Sequence, residues 1–212
     1  MANRIVSKTK IESNQTMLKF KAVDPTQLCV LSFSDASFAN MPRGGSQAGR
    51  FSMLTSADVV TKRVPVNVVS WRSGRISRVV KSTLAAESSS LADSQDDNEY
   101  TRVATAYMFG LLPASDRHWK KALDLVKGYT VVDAKSLYDH LHSDALPTEK
   151  RVMLDLMAFR EGLQRPNDEV FWMPNQWMLA DYLTKAKVDD FAVDYLLTRG
   201  EYALSEEALE AP

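Results

Sequence analysis

Cysteine is almost missing: Cys29 is the single one in 212 residues. One thiol excludes an intrachain disulfide and a zinc site built from cysteines, and it suits a reducing compartment. Long apolar runs are missing too. None approaches the ~20 residues that a membrane helix needs, and the opening MANRIVSKTK lacks the apolar stretch of a secretory signal. Neither sign of charge dominates. Lys and Arg number 26 against 27 Asp and Glu, for a net charge of −1, so nucleic-acid binding would have to rest on a local patch. Histidine is scarce. His140 and His142 are two apart, which is not the same-face spacing of a helical metal pair, and with His118 they read as surface or locally hydrogen-bonded residues. The expectation is a soluble, intracellular monomer with no membrane partner.

What is present suits a globular chain, 45% apolar and 25% charged, long enough for one domain with a sizeable core. No internal repeat is found. Residues 1–25 are polar and weakly patterned, a leader. The domain proper is expected over 26–200, with an acidic tail, 201–212, that frays. LCVLSFSDASF predicts a strand, and NMPRGGSQAGR (Asn40 to Arg50) a turn. RFSMLTSA and PVNVVSWRS predict two further strands, making an antiparallel meander. An Ala-rich helix follows from Ser82 to about Leu112, with Leu84, Leu91, Tyr107 and Met108 along it. GYTVVDAKSLYDHLH reads as a strand running into a helix. PTEKRVMLDLMAFREGL reads as an amphipathic helix with Val152, Leu156 and Phe159 on one stripe. DEVFWMP is a strand, and NQWMLADYLTKA and DDFAVDYLLTRG are helices. A meander followed by strand–helix alternation predicts an α/β fold, a mixed sheet flanked by helices.

Four acidic residues stand in unexpected places. Asp35 lies within the first strand, and Glu87 shares a helix face with Leu84 and Leu91. Asp133 ends the apolar YTVV, and Asp181 sits in MLADYLTK beside Leu183. Successive members are about fifty residues apart, so only the fold can gather them. Each is costly to bury alone, and together they would repel unless a cation neutralised them. Mg²⁺ binds a few carboxylates and keeps water for chemistry. Two such ions about 4 Å apart can activate a water and stabilise the leaving oxygen of a phosphodiester. Each residue also has a plainer reading. Asp35 could be turn chemistry, Asp133 a helix N-cap, and Glu87 and Asp181 solvated helix positions.

Five phrases in order change that balance. FSDASFA, VSWRSGRISRVVKSTLAAESSSLA, VVDAKSLYD, EKRVMLDL and MLADYLTK together resemble the ribonuclease H domain that ends the polyprotein of copia-type LTR retrotransposons, over about Leu28 to Lys187. The resemblance implies a ribonuclease H-like fold, with a five-stranded mixed sheet and helices on both faces. It implies Mg²⁺- or Mn²⁺-dependent hydrolysis, with two ions, of the RNA strand in an RNA–DNA hybrid. Asp35, Glu87, Asp133 and Asp181 match its metal-binding catalytic carboxylates. Asp35 would be shared between the ions, Glu87 would bridge or orient them, Asp133 would bind on the nucleophile side and Asp181 would complete the site. ANRIVSKTK followed by LKFKAV is similar to the segment joining reverse transcriptase to ribonuclease H, which implies a reverse transcriptase domain as a partner.

Two positions depart from the pattern. Ala85 stands where the family commonly has a second acidic residue, and Arg151 where it often carries histidine. No histidine lies between Phe171 and Lys187 to help product leave. For the substrate, Arg72, Arg75, Arg78 and Lys81 form the densest basic stretch, read as a phosphate-positioning strip. Ser82 and Thr83 could touch sugar hydroxyls or cap the helix. Trp71, Trp172 and Trp177 are expected in the core. Two other classes compete: a catalytically silent nucleic-acid-binding or structural module, and an integrase-type polynucleotidyl transferase. The latter predicts three acids with the last a helical glutamate, whereas here the glutamate is second and an aspartate last.

Overall fold

The computed structural model describes residues 18–144, 147–185 and 191–210. Its strands are β1 (Leu28–Met41), β2 (Gly45–Ser56), β3 (Val64–Arg75), β4 (Lys127–Val132), β5 (Asp168–Trp172) and β6 (Glu201–Tyr202). Its helices are α1 (Thr83–Met108), α2 (Ala122–Leu125), α3 (Lys135–Leu141), α4 (Lys150–Gly162), α5 (Asp181–Thr184), α6 (Phe191–Arg199) and α7 (Glu206–Glu210). The sheet order is β5-β4-β1-β2-β3-β6. β1, β2 and β3 form an antiparallel meander, and β4 and β5 extend it in parallel from β1. This mixed sheet with helices on both faces is a ribonuclease H-like fold, with one short strand beyond the five expected.

The two faces are built differently. On one, Leu31 and Phe33 of β1, Met53 of β2 and Val66 of β3 pack against Met178, Leu179, Leu196 and Tyr202. On the other, α3 and α4 cover β4 and β5 through Leu137, Val152, Leu156 and Phe159, the stripe on α4 that its periodicity predicts. α1 has no such stripe. The buried side of its first half is mostly small, with Ala85, Ala86, Ser88, Ser89, Ser90 and Ser94 beside Glu87 and Leu91, which lets the helix come close to the strands. There Ser34 Oγ donates to Ser90 Oγ at 3.0 Å. Asn98 Nδ2 donates to Ser32 Oγ at 3.0 Å and to the Val30 carbonyl at 3.1 Å. These bonds offset part of the cost of burying polar atoms, although Ser94 Oγ and Asn98 Oδ1 have no partner among the described residues.

Several boundaries differ from expectation. The turn between β1 and β2 shrinks to Pro42–Gly44, with Arg43 and Gly44 at positive φ, because the antiparallel ladder continues through a register shift between Ser37 and Met41. α1 stops at Met108 rather than near Leu112, where Gly110 turns left-handed. The helix predicted for NQWMLADYLTKA is a 3₁₀ turn at Asn175–Trp177 and the single turn α5. The acidic tail does not fray over its described part: Tyr202, Ala203 and Leu209 are buried, and β6 pairs with Val64 and Pro65. Their apolar side chains complete the core beneath β3, outweighing the local charge. Of the leader, residues 1–17 lie outside the described residues. Lys21 donates its backbone N–H to Asn67 Oδ1 at 2.7 Å and accepts from Asn67 Nδ2 at 2.8 Å.

One buried ion pair fastens α1 to the far edge of the sheet. Arg102 is fully buried and pairs with Asp168 of β5 at 2.5 Å. Its guanidinium also donates to the carbonyls of Val126 and Leu123. Removing one partner strands the other charge in a dry interior, so Arg102→Ala is expected to cost about 3–5 kcal/mol. Arg102→Met with Asp168→Leu should recover much of that loss. Urea unfolding of the three proteins measures both numbers.

Candidate metal centre and nucleic-acid interface

The topology brings together residues that the chain keeps far apart. Asp35 lies mid-strand in β1, opposite Gly49 of β2. Glu87 lies near the start of α1, where Ser82 Oγ caps the helix by accepting from Ala85 N–H at 3.1 Å. Asp133 directly follows β4, whose parallel ladder with β1 ends at Phe33 and Val131. Carboxylate oxygens of Asp35, Glu87 and Asp133 all lie within 4.8 Å of one another. Asp181, the first residue of α5, lies against Asp35 and Lys185.

The plainer readings of these residues do not survive their surroundings. Asp35 is 2% exposed and several residues short of the turn. Glu87 is 6% exposed and Asp181 3%, so neither is a solvated helix position. The N-cap of α3 is Ala134 rather than Asp133, and it has no side-chain capping bond.

α5 is one turn long, too short to be stable alone, and neutral hydrogen bonds from the meander hold it in place. The Leu183 carbonyl accepts from Ser73 Oγ at 2.6 Å and Gln47 Nε2 at 2.8 Å. The Thr184 carbonyl accepts from Asn40 Nδ2 at 3.0 Å. Gly49 makes the approach possible, since a Cβ there would lie 2.9 Å from the Ala180 carbonyl oxygen and 2.7 Å from Thr184 Cγ2. Thr184 Oγ1 donates to Asp35 Oδ2, and Lys185 Nζ lies 2.6 Å from Asp181 Oδ2. The sequence prediction missed both donors. The four-residue spacing of Asp181 and Lys185 in DYLTK pairs charges on any helix and so singles out neither donor.

Burial and mutual repulsion favour the protonated forms of Glu87, Asp133 and Asp181. Desolvation, then the charges of Asp35 and Asp133, push Glu87 up to about 9. Desolvation with Asp35 and Asp181 pushes Asp133 to about 6. Burial raises Asp181 as well, against the pull of Lys185. Asp181 Oδ1 is buried without a hydrogen-bond partner among the described residues. An all-oxygen donor set with an orphaned carboxylate oxygen fits a hard divalent cation.

The basic stretch divides among different neighbours. Arg72 and Arg75 are exposed at the end of β3 and border a cavity of about 320 Å³ whose other walls include Arg50 and the acidic Asp93, Asp96 and Asp97. Arg78 is engaged by Asp155 of α4. Lys81 lines a cleft of about 370 Å³ with Val79, Glu149, Lys150 and Arg151, the last two being cations that the sequence prediction did not single out for binding. Ser82 Oγ also donates to Glu149 Oε2 at 3.2 Å, and Thr83 is exposed. Between the two cavities Ile76 and Val80 pack on Ala36, Ala48 and Ala86, so the stretch runs past the neighbours of Asp35 and Glu87. Of the three tryptophans expected in the core, only Trp177 is buried. Trp71 is 58% exposed and Trp172 40%. β6 pairs with Val64 and Pro65 and does not reach Trp71, and Trp172 ends the outermost strand.

The raised acids set a pH dependence. Folded, the protein keeps a proton on Glu87 up to about 9, against an ordinary 4.5. Across that window it binds more protons than its unfolded chain, and its stability falls as pH rises. A divalent cation that replaces those protons stabilises the fold more as pH rises. Melting temperature in chelator should therefore drop between pH ~5.5 and ~8.5, and the increment given by Mn²⁺ should grow over the same interval.

No family model matches this sequence, and no curated protein matches it. Among solved structures, the RNase H1 of the halophilic archaeon Halobacterium salinarum NRC-1 is 17% identical, with a TM-score of 0.45 over 78% of this chain and 97% of that one. LC11-RNase H1 in complex with RNA/DNA hybrid is 14% identical, with a TM-score of 0.46 over 73% and 93%. The PFV RNase H domain in solution is 12% identical, with a TM-score of 0.42 over 82% and 94%. These are likenesses of fold, and the assignment of the fold here rests on strand order and pairing.

Proposed function

We propose that this chain is a divalent-metal-dependent endonuclease that hydrolyses the RNA strand of RNA–DNA hybrids, a ribonuclease H domain of the copia-type retrotransposon polyprotein kind. The observation that carries this reading is the convergence of Asp35, Glu87 and Asp133, with oxygens within 4.8 Å of one another, and of Asp181 beside Asp35. The copia-type origin is supported by the five ordered sequence phrases, and with it a reverse transcriptase domain as partner.

Asp35, Glu87, Asp133 and Asp181 would hold Mg²⁺ or Mn²⁺. Bound there, two ions would activate a water and stabilise the leaving oxygen of the phosphodiester, leaving a 3′-hydroxyl and a 5′-phosphate. Asp35, fixed mid-strand, would be shared between the two ion positions. Glu87 would orient from the helix side, Asp133 would serve the nucleophile side and Asp181 the remaining one. Arg72, Arg75 and Lys81, which make no ion pair among the described residues, would grip phosphates, with Lys150 and Arg151 extending the strip. Ser82 is committed to capping α1, which leaves Thr83 as the hydroxyl free to meet a sugar.

Cleavage of a labelled RNA–DNA hybrid with Mg²⁺ or Mn²⁺, beside RNA–RNA and DNA–DNA duplexes, tests the reading. Hybrid-specific cutting is expected, and Asp35→Asn should lower it by more than the ~100-fold that changes one shell further out cost. Absence of cutting at enzyme concentrations that saturate the hybrid would leave a silent binding module. Within the strip, Arg72→Ala, Arg75→Ala and Lys81→Ala should each weaken hybrid binding and lower the salt slope by about 1. Arg78→Ala should change the slope less and lower the melting temperature, because its partner is Asp155.

A further inference from the structure

Lys185 is a cation that faces Glu87, Asp133 and Asp181. Its ammonium lies 2.6 Å from Asp181 Oδ2, on a carboxylate side chain only 5% exposed. The other oxygen of that carboxylate, Oδ1, has no hydrogen-bond partner among the described residues. Next to it, Thr184 Oγ1 donates to Asp35 Oδ2. The end of α5 thus gives a hydroxyl and an ammonium to the two aspartates that flank one side of the site. The opposite side, with Asp35, Glu87 and Asp133 clustered, receives no ammonium at bonding distance among the described residues.

An ammonium and a divalent ion compete for the same lone pairs. With every acid ionised, the four carboxylates and Lys185 carry a formal charge of −3. One divalent ion brings this to −1, and a second balances the site only if the lysine leaves. We propose that Lys185 is a tethered counter-ion: it holds the Asp35–Asp181 side of the site in the metal-free protein and must be displaced before a second divalent ion binds there. The inference rests on the metal-centre reading above and deepens it. It makes the two ions unequal, the first going to Asp35, Glu87 and Asp133 without competition and the second against a resident charge. Lys185 is accordingly a positioning residue, acting on the reaction through Asp181.

Mn²⁺ binding to the whole chain, counted by electron paramagnetic resonance and calorimetry without nucleic acid, tests this. The native protein should bind one ion tightly and a second ~10-fold or more weakly, and Lys185→Met should tighten the second by ~10-fold while leaving the first nearly unchanged. Lys185→Arg keeps the charge and should keep the weak second ion, and Asp181→Asn should remove it. Should Lys185→Met not fold, the native chain still decides: hydrogen exchange of the Lys185 ammonium, followed by ¹⁵N NMR, should be slow in chelator and fast at saturating Mg²⁺. A second ion that binds no more tightly in Lys185→Met, or an ammonium still protected at saturation, overturns the tethered counter-ion and leaves the metal centre standing. Failure of the native chain to bind any Mn²⁺ removes both.

Discussion

Like charges that share a dry place repel, and this chain gathers four carboxylates in one. The approach of Asp35, Glu87, Asp133 and Asp181 works against folding unless protons, an ammonium or metal ions offset it. Much of the surrounding architecture serves to hold groups that would otherwise part. Asp35 is fixed inside a strand bonded on both sides through Phe33, and Glu87 is carried on a long helix capped by Ser82. That helix is drawn close to the sheet by serines and anchored at its other half by Arg102. The polar α1 interface and the buried Arg102–Asp168 pair are costly choices for a core. Both set the spacing between the helix that carries Glu87 and the strands that carry Asp35 and Asp133.

Much of the fold was legible because several elements follow the periodicities that sequence patterns report. The stripe Val152, Leu156 and Phe159 is buried as its spacing requires, and the alternation in PVNV places Val66 and Val68 in the core. Legibility failed where burial departs from hydrophobicity. Met108, apolar and in register with the predicted helix, is the exposed last residue of α1, whereas Ser90 and Ser94 are buried. Trp71 has the composition of a core residue but stands on an open edge, and Tyr202 sits in an acidic segment yet is fully buried. No local pattern encodes which edge a distant segment will cover.

The same division runs through the site. The four acids could be picked out because a carboxylate in an apolar run is locally conspicuous. Lys185 and Thr184 could not, since a lysine and a threonine at the end of a short helix are unremarkable until the fold turns them inward. Lys150 and Arg151 likewise gain meaning only when Ser82 reaches Glu149 and brings the starts of α1 and α4 together.

The seating of α5 has a mechanical consequence. Three of the carboxylates belong to the central strands and to α1, the fixed jaw of a vice. The fourth rides on a single turn whose carbonyls are held by Asn40, Gln47 and Ser73, all on the meander that also presents Arg72 and Arg75. The second jaw is therefore bolted to the arm that carries two of the exposed cations. A force that bent the outer ends of these strands, beyond Asp35, would reach Asp181 through those bonds, so load on that surface and alignment of the fourth carboxylate are coupled through one lever.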